Sequence, residues 1–511
     1  MTATQTPQFD ERRGRRRRRA KRGCGCCGCC GFTIPAILAV VVYFILQRVP
    51  TTYPGVDHPI PAPDPNHRPG GGLNGFSSPY VGHTGSWDGK GGGMGGSSKA
   101  GDMDLERGMG LRWTFMPVYW RALEPSHAVD LNQGVPSEWK ALDDFVIAAH
   151  ERNLNILMQA PVVGGNAGGP PDWAGRREPG KSAPKDMQAL AEFAGKLAGR
   201  YRPGGTLAIR EGWGNKYGVR AWEMDNEPAS YFTSWAGQAG DYAEFVTKAA
   251  RRIRQADPGA VICAPVLACG SGEYSWLDNT LDAPKLAGSP EYTKRGTRFS
   301  IGPATNVVSF HLYEGLDTGF SGRDRTLERA FTEVRDVFER HEDKLSGQGY
   351  ARKQEYWHTE GNYDFLGVLS EDRRAAWRFQ FMTRAFAAGI RKVVVMDPSR
   401  KERTAVQSYI QALPDPFPMA RAADKLKTVR GKVEAFRHAS RSRKAESQIW
   451  VIWAKAGTGD AEVEIPVLHD KIRTLSVEGR REDLSAVKRR LRIHLKGDDK
   501  MAPPLIVLDR P

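Results

Sequence analysis

The sequence VRAWEMDNE (219–227) is followed by DYAEFVTKAARRIRQAD (241–257) and then by AVICAPVLA (260–268). The outer two segments are short and apolar, as strands are, and the middle segment has the apolar periodicity of a helix. The strand at 260–268 is apolar along its whole length, which indicates that both of its faces are buried. Strands of this kind, joined by a helix, are typical of a parallel sheet that helices cover on both sides.

The same alternation extends in both directions from this unit. Further strand candidates are WTFMPVYW (113–120), NILMQAPVV (155–163), NVVSFHLYE (306–314), QEYWHTEGN (354–362) and RKVVVMD (391–397), with an eighth near SSPYVGHTG (77–85). Helical patterns lie between them at 138–153, 186–201, 327–341 and 371–389. Eight such units within residues 77–415 predict an α/β fold, a (β/α)8 TIM barrel. A doubly wound open sheet is the alternative, but no Gly-rich phosphate loop follows the first strand.

The last part of the chain, residues 416–511, has a different pattern. Short segments of alternating polar and apolar residues are separated by turns: SQIWVIWAK, AEVEIPVL, IRTLSVEG, RRLRIHLK and PPLIVLDRP. This pattern predicts a small antiparallel β-sandwich domain. We expect the sandwich to stabilise the barrel, and carbohydrate binding is its alternative role.

The first 76 residues predict a membrane anchor followed by a tether. Residues 1–31 form a basic, Cys-rich tail, and the apolar run FTIPAILAVVVYFILQRV (32–49) is just long enough for one transmembrane helix. Because basic residues precede it, the tail is expected in the cytoplasm and the rest of the chain in the periplasm or outside the cell. A cleavable signal peptide has the same charge order, but no small-residue cleavage site follows. Residues 50–76 are rich in Pro and Gly and predict a linker.

Much of the positive charge lies near the N-terminus. The formal net charge is +15, and residues 10–22 contribute nine basic and two acidic side chains, a net charge of +7. The remaining +8 is distributed over almost five hundred residues, so binding to nucleic acid is not expected.

Five of the seven cysteines lie directly before the apolar run, at Cys24, Cys26, Cys27, Cys29 and Cys30. Juxtamembrane thiols are candidates for acylation, and a zinc site is the weaker alternative because the cluster has no second Cys-x-x-Cys pair. The other two, Cys263 and Cys269, form either a disulfide or two buried free thiols.

Polar residues occur where the predicted barrel strands end. They are Asn226 and Glu227 on the fourth strand, His311 and Tyr313 on the sixth, and Glu360 on the seventh. Active sites of (β/α)8 barrels assemble at the C-terminal ends of the strands. Two glutamates delivered there from strands four and seven can stand on opposite sides of one sugar ring, which is the arrangement that cleaves a glycosidic bond.

Four motifs resemble those of the clan A glycoside hydrolases. Residues 222–228 (WEMDNEP) are similar to the strand-four Asn-Glu-Pro signature, and residues 356–362 (YWHTEGN) resemble the strand-seven Thr-Glu-Gly. Residues 309–313 (SFHLY) match the strand-six His-x-Tyr, and residues 119–125 (YWRALEP) resemble the Glu-Pro turn after strand two. The resemblance depends on the order and spacing of all four motifs, and it covers about residues 77–400. The most similar members of the clan are family 39-like enzymes.

The resemblance implies a retaining glycosidase that cleaves β-linked oligo- or polysaccharides outside the cytoplasm, without a cofactor or a metal ion. Carried over residue by residue, Glu227 is the acid/base and Glu360 is the nucleophile. Asn226 hydrogen-bonds the 2-hydroxyl of the sugar, Tyr313 donates to Glu360, and His311 lines the wall near the acid/base. The mechanism requires Glu227 to keep its proton while Glu360 stays charged.

Three tryptophans are candidates for stacking on sugar rings: Trp120, Trp173 and Trp235. Packing in the core is the alternative for each of them. The chain also departs from the clan at two positions. An arginine is usual on strand two, where the choice between Arg112 and Thr114 depends on the register, and strand eight ends in VMDP (395–398) without the usual aromatic residue.

Two other functions fit parts of the pattern. A membrane-tethered glycan-binding protein without activity would have the same fold, but the intact Glu227 and Glu360 argue against it. A metal-dependent barrel hydrolase would need a His-x-His pair on the first strand, where the sequence has His83 without such a partner.

Overall fold

The structure is a computed structural model of the chain. It describes the residues 81–84, 100–164, 169–179, 181–229, 235, 239–268, 276–277, 280–281, 301–313, 327–346, 354–361, 369–396, 398–413, 419–441 and 446–510. The predicted tail, membrane helix and linker lie outside these ranges. No helix within them combines the length and the apolar character that crossing a membrane requires. The membrane anchor and the extracytoplasmic location therefore stay predictions.

Eight parallel strands form a closed barrel, in which each strand pairs with its neighbours along the chain and β1 pairs with β8. The strands are β1 (Val81–Thr84), β2 (Trp113–Tyr119), β3 (Asn155–Val162), β4 (Ala221–Glu223), β5 (Val261–Leu267), β6 (Val307–His311), β7 (Glu355–Glu360) and β8 (Lys392–Met396). All eight predicted strands are present, including the one expected within residues 77–85. Closure of the ring excludes the doubly wound open sheet.

Helices connect the strands and cover the outside of the barrel. They are α1 (Ala100–Met109), α2 (Trp120–Leu123), α3 (Ser137–Glu151), α4 (Met187–Tyr201), α5 (Thr206–Arg210), α6 (Ala239–Ala256), α7 (Leu327–Ser346), α8 (Glu371–Ala388) and α9 (Arg400–Ala412). Short 3-10 turns occur at Asp172–Ala174, Gly302–Ala304 and Ala423–Lys425. Most of the apolar residues of the covering helices lie in one continuous core with the outer faces of the strands.

Local sequence determines where several of these helices begin and end. The Asp186 side chain accepts hydrogen bonds from the first backbone N–H groups of α4. Ser399 and Glu402 form a capping box at the start of α9, in which each side chain bonds to the other residue's backbone. Helix α8 ends at Gly389, whose φ of +102° is a left-handed conformation that glycine adopts without steric cost.

The interior of the barrel is filled by side chains. Its apolar cluster consists of Trp113, Phe115, Leu157, Ala221, Val261, Cys263, Val307, Trp357 and Val394. The ammonium group of Lys392 lies 3.4 Å from the ring centroid of Trp113 and 4.5 Å from that of Trp357, so cation–π contacts compensate for its burial. Because this cluster fills the interior, a ligand of the barrel is expected at the C-terminal mouth.

Residues beyond the barrel form two antiparallel sheets. The strands are β9 (Ala420–Arg421), β10 (Lys427–Arg430), β11 (Val433–Arg441), β12 (Glu446–Ala454), β13 (Ala461–Pro466), β14 (Lys471–Ser476), β15 (Arg481–Ser485), β16 (Arg490–Leu495) and β17 (Leu505–Asp509). One sheet has the order β15-β14-β17-β12-β11-β9 and the other has the order β10-β13-β16. Trp450 of the first sheet and Val463 and Ile493 of the second share one core, as predicted for a sandwich.

The opposite face of the six-stranded sheet packs on the barrel helices. Phe436, Val451 and Trp453 belong to the same hydrophobic core as Tyr409 of α9. Two polar contacts from α8 support this packing. Arg373 pairs with Asp498 at 3.0 Å, and the Gln380 amide donates to the carbonyl of Ala502 at 2.6 Å. The six-stranded sheet and the barrel therefore share one core.

The structure describes one of the two later cysteines. Cys263 is a buried free thiol on β5, and burial raises its pKa well above the usual value. Cys269 and the N-terminal cysteines lie outside the described residues, so acylation of the latter stays a prediction. Reactivity of Cys263 is not expected, because a thiol that keeps its proton is a poor nucleophile.

Candidate active site

Three predicted site residues meet at the mouth of the barrel. Glu227 follows β4, His311 ends β6 and Glu360 ends β7, and the last two lie opposite each other in the register of the sheet. One side-chain oxygen or nitrogen atom from each of the three residues lies within 4.8 Å of the others. The side chain of Glu227 is 20% exposed and that of Glu360 is 22% exposed. The two carboxylates therefore face the same opening.

The turn after β4 aims Glu227 into this opening. Asp225 and Glu227 have φ angles of +62° and +41°, a left-handed conformation that costs a non-glycine residue about 1 kcal/mol or more. The buried carboxylate of Asp225 holds the turn by accepting hydrogen bonds from the indole of Trp235 at 2.5 Å and from the Gly164 backbone at 3.1 Å. Burial raises the pKa of Asp225 to about 6, although these hydrogen bonds act in the opposite direction.

His311 lies between the two carboxylates. Its Nδ1 atom is 2.9 Å from Oε1 of Glu227 and 3.7 Å from Oε2 of Glu360. Burial alone lowers the pKa of His311, but the charges of Glu360 and Glu227, together with the hydrogen bond to Glu227, raise it to about 9. At neutral pH the ring is therefore an imidazolium that bridges two carboxylates.

Glu360 accepts a hydrogen bond from a neighbouring tyrosine. The hydroxyl group of Tyr313 donates to its Oε1 atom, as the family resemblance implied. Tyr119, at the end of β2, belongs to the same surroundings, although the sequence did not single it out. Its pKa is raised by burial and further by the negative charges of Asp225 and Glu360. The available signal was its position at the C-terminal end of a barrel strand.

A buried polar layer supports the site from below. The amide of Gln159 donates to Oε2 of Glu223 at 2.9 Å and to Oδ1 of Asn226 at 3.2 Å, and thereby fixes both side chains. Burial raises the pKa of Glu223, whereas the charge of His311 and the hydrogen bond from Gln159 lower it. Asn226 is half-buried at the opening. Gln159 could not be singled out from the sequence, because its contacts cross from β3 to β4.

The alternating residues of β7 divide between the two sides of the barrel wall. Trp357 lies in the interior cluster, whereas the ring of His358 packs against Phe381 of α8 at a centroid distance of 4.7 Å. Burial, together with the charge of His311, lowers the pKa of His358 to about 3. His358 is therefore neutral and outside the site.

Two of the three predicted stacking tryptophans are corrected by the structure. Trp120 and Trp235 are fully buried, and their indole N–H groups donate to Glu124 and Asp225. Neither side chain has an exposed face on which a sugar ring could stack. Trp173 is partly exposed and donates to the carbonyl of Glu124 at 2.8 Å, so it stays a candidate.

Strand two places no arginine beside Glu360. Arg112 precedes β2 at the end opposite the mouth, where its carbonyl accepts a hydrogen bond from Asn155. Thr114 donates to Glu106 of α1, behind the barrel wall. A cationic group beside Glu360 is instead His311 of β6, whose Nδ1 atom lies 3.7 Å from Oε2.

The same three side chains could hold a divalent cation in principle. Glu227, His311 and Glu360 offer two carboxylates and one imidazole nitrogen at suitable separations. A metal would have to displace the proton on Nδ1 of His311, which the two carboxylates stabilise. The proton and a metal ion therefore compete for one position, and the absence of a metal cofactor stays a prediction.

Gly361 makes the close approach of β6 and β7 possible. A Cβ atom at this position would overlap the carbonyl oxygen of Leu312 and lie 2.6 Å from Nε2 of His358. We predict that Gly361→Ala lowers the free energy of unfolding by about 2 kcal/mol or more, because backbone atoms cannot move aside cheaply. Urea denaturation measures the loss. Gly199→Ala is the control, because this helical glycine has open space around it and alanine should stabilise the helix.

Comparison with known proteins supports the fold. No protein-family model matches the chain, and no curated protein matches its sequence. Among solved structures, a glucosidase from Croceicoccus marinus aligns with a TM-score of 0.51 and 13% identity, over 84% of this chain and 95% of that one. A GH30 endoxylanase from Clostridium papyrosolvens aligns with a TM-score of 0.50 and 10% identity, over 84% and 96%. A β-xylosidase from Caulobacter crescentus aligns with a TM-score of 0.50 and 14% identity, over 81% of this chain and 92% of that one.

The chain has the fold of known glycoside hydrolases. At these identities the similarity concerns the architecture, so the chemistry has to be argued from the side chains at the mouth of the barrel.

Proposed function

We propose that this chain is a retaining glycoside hydrolase that acts on a β-linked oligo- or polysaccharide outside the cytoplasm. The observation that carries the proposal is the distance between the two glutamates, whose nearest oxygen atoms lie within 4.8 Å. Retaining enzymes hold their carboxyl groups about 5–5.5 Å apart, whereas inverting enzymes need about 6.5–9.5 Å to admit a water molecule. Solved structures with the same fold include a glucosidase, an endoxylanase and a β-xylosidase, which supports a glycosidase.

The reaction proceeds in two displacements. A carboxylate oxygen of Glu360 attacks the anomeric carbon while Glu227 donates its proton to the leaving oxygen, and the glycosidic bond breaks. Glu227, now a carboxylate, removes a proton from water, and the resulting hydroxyl oxygen displaces Glu360 from the same face as the original substituent. A sugar hydroxyl in place of water would give transglycosylation.

The proton for the first displacement is stored between Glu227 and His311. Transfer of the Nδ1 proton of His311 across their 2.9 Å contact supplies the acid form of Glu227. The hydrogen bond from Tyr313 and the imidazolium 3.7 Å away stabilise negative charge on Glu360. Asn226, held by Gln159, is positioned to bond the 2-hydroxyl of the sugar.

Loss of the Tyr313 hydroxyl should slow the reaction without unfolding the protein. We predict that Tyr313→Phe lowers kcat about 10- to 100-fold, which corresponds to one hydrogen bond to a charged oxygen. Steady-state kinetics on an aryl β-glycoside measures the effect. Tyr356→Phe is the matched control, because this ring packs against Phe331 behind the barrel wall. An equal loss of kcat in both variants would contradict the role of Tyr313.

The proposal as a whole is tested by a hydrolysis screen of the full chain. The panel contains xylan, mixed-linkage β-glucan, poly-β-mannuronate and aryl β-glycosides, and new reducing ends are measured for wild type and for Glu360→Gln. We expect at least one substrate to be cleaved by wild type alone, with the β-anomer as first product by NMR. An α-anomer as first product would exclude retention. Binding to glycans without turnover on any of them would favour the silent glycan-binding protein.

A further inference from the structure

The positive charge beyond the N-terminal tail is not evenly distributed. Residues 419–510 contain 21 Lys and Arg residues and 13 Asp and Glu residues, a net charge of +8. Together with the +7 of residues 10–22, this accounts for the whole formal charge of +15. The barrel is therefore close to neutral, and the expectation of a diffuse surplus is corrected.

Much of this charge lies on the outer face of the three-stranded sheet. Residues of β16 alternate strictly between exposed and buried, so that Arg490, Arg492 and His494 point outward while the apolar residues between them enter the core. Lys496 follows directly and is also exposed. Exposed side chains on one strand face repeat every two residues, about 7 Å apart. The row forms a basic stripe along the strand.

The carboxylates on this face neutralise only part of the stripe. On β13, Glu462 pairs with Arg492, and Glu464 pairs with Lys427 of β10 at 3.5 Å. Arg430 and Arg490 have no ion-pair partner among the described residues. The face thus combines free guanidinium groups with carboxylates that are already paired.

The turn between β15 and β16 adds two more cations in an unusual conformation. Lys488 and Arg489 have φ angles of +50° and +59°, which is the type I′ geometry that Asn-Gly usually occupies in two-residue hairpins. Long side chains there cost stability; both are exposed beside Arg490, and Arg489 pairs with Asp470 at 3.6 Å. Strain retained at a surface turn points to a role for the charges themselves.

We propose that this basic face, comprising the outer sides of β10, β13 and β16 and the turn Lys488–Arg489, binds an acidic polysaccharide. Guanidinium groups bind the carboxylates of such a chain in bidentate geometry, and Glu462 and Glu464 accept hydrogen bonds from its hydroxyl groups. The choice of a polysaccharide among polyanions rests on the proposed glycosidase function. The sandwich would then hold an anionic glycan close to the barrel that cleaves it.

Other polyanions fit this face less well. Single-stranded nucleic acids stack on aromatic rings, but Trp450 and Trp453 are buried and the exposed positions of β10, β13 and β16 contain no Trp, Tyr or Phe. Glu462 and Glu464 on β13 lie between β10 and β16 and interrupt the positive charge, so the face matches the closely spaced phosphates of a nucleic acid or an anionic membrane poorly. A polysaccharide has hydroxyl groups between its carboxylates, and these can lie over Glu462 and Glu464 without repulsion.

The test measures binding and does not depend on turnover. The full chain carrying Glu360→Gln is titrated with polygalacturonate, alginate and the neutral glucan dextran over a range of salt concentrations. The test variant adds Lys488→Asn, Arg489→Gly and Arg490→Gln, which removes three charges and gives the turn its preferred residues. The matched control instead adds Arg107→Gln, Lys140→Gln and Lys216→Gln, which removes three exposed charges from the barrel.

We expect binding to an acidic polysaccharide that weakens with salt, and a loss of affinity of about tenfold or more in the test variant alone. Its thermal midpoint should stay at or above that of the parent. Equal losses in the test and control variants would overturn the proposal, because net charge alone would then explain binding. Tighter binding to phosphatidylglycerol vesicles or to DNA, lost in the same variant, would also overturn it. Hydrolysis of neutral substrates by the wild type reports separately on the proposed function.

Discussion

Replacement of Glu360 by glutamine should lower kcat by about 10⁴-fold or more, because the nucleophilic oxygen is lost while the shape of the side chain is kept. Glu227→Ala should have a comparable effect on substrates with poor leaving groups, which need a proton. On an aryl β-glycoside with an activated leaving group, the first displacement needs no acid, so the glycosyl-enzyme should form and accumulate in this variant. The two glutamates are therefore distinguished by leaving-group dependence.

Azide separates the two roles further. In Glu227→Ala the missing side chain leaves space beside the glycosyl-enzyme, and azide entering there should restore turnover and yield a β-glycosyl azide. In Glu360→Gln the amide fills the position of the nucleophile, so azide should have no effect. Glu138→Gln, an exposed acidic position on α3, controls for loss of charge. Rescue of Glu360→Gln instead of Glu227→Ala would exchange the roles of nucleophile and acid/base between the two glutamates. Unchanged turnover in either variant would contradict a catalytic role for that residue.

The sequence was sufficient to predict the barrel and the meeting of Glu227 and Glu360 at its mouth. Strands such as β5 are apolar throughout, and their spacing fixes the number of units even though β4 is only Ala221–Glu223. Glu227 and Glu360 were predicted from motifs at the ends of strands four and seven. Closure of the barrel then brings together residues that are far apart in the chain, and this step follows from the architecture alone.

Contacts between strands could not be predicted in the same way. Gln159 lies in the middle of an apolar strand, and only the register of β3 against β4 reveals that it bonds both Glu223 and Asn226. The buried positions of Trp120 and Trp235 depend on Glu124 and Asp225 as hydrogen-bond acceptors, which composition does not show. A tryptophan near a sugar-binding motif is equally compatible with stacking and with packing until its accessible surface is known.

His311 should make the free energy of unfolding depend on pH in the alkaline range. Its pKa is about 9 in the folded chain and near 6.5 in an unfolded one, so folding retains a proton that the unfolded chain loses. This stabilisation is fully present below about pH 6.5 and is lost as the pH rises through about 9. Between pH 7 and 8.5, the free energy of unfolding should fall by about 1 kcal/mol per pH unit.

His311→Gln should remove this contribution to the slope, because the titrating ring is lost. It should also lower kcat about 100-fold or more, because two carboxylates within 4.8 Å then face each other without a cation. The groups around the ring are Glu223, Glu227, Glu360 and Tyr313 at the site and His358 on the adjacent strand. His358 stays neutral throughout this range, since burial lowers its pKa to about 3. The thiol of Cys263 responds to high pH equally in both proteins, so the difference between them isolates His311.

Urea denaturation at several pH values measures the slope for wild type, His311→Gln and the control His127→Gln, whose ring is exposed on the loop after α2. We expect wild type and His127→Gln to lose stability in parallel between pH 7 and 8.5, and His311→Gln to lose about 1 kcal/mol per pH unit less. An unchanged slope in His311→Gln would mean that the ring is neutral in the folded protein. The proton for the first displacement would then have to be held by Glu227 alone.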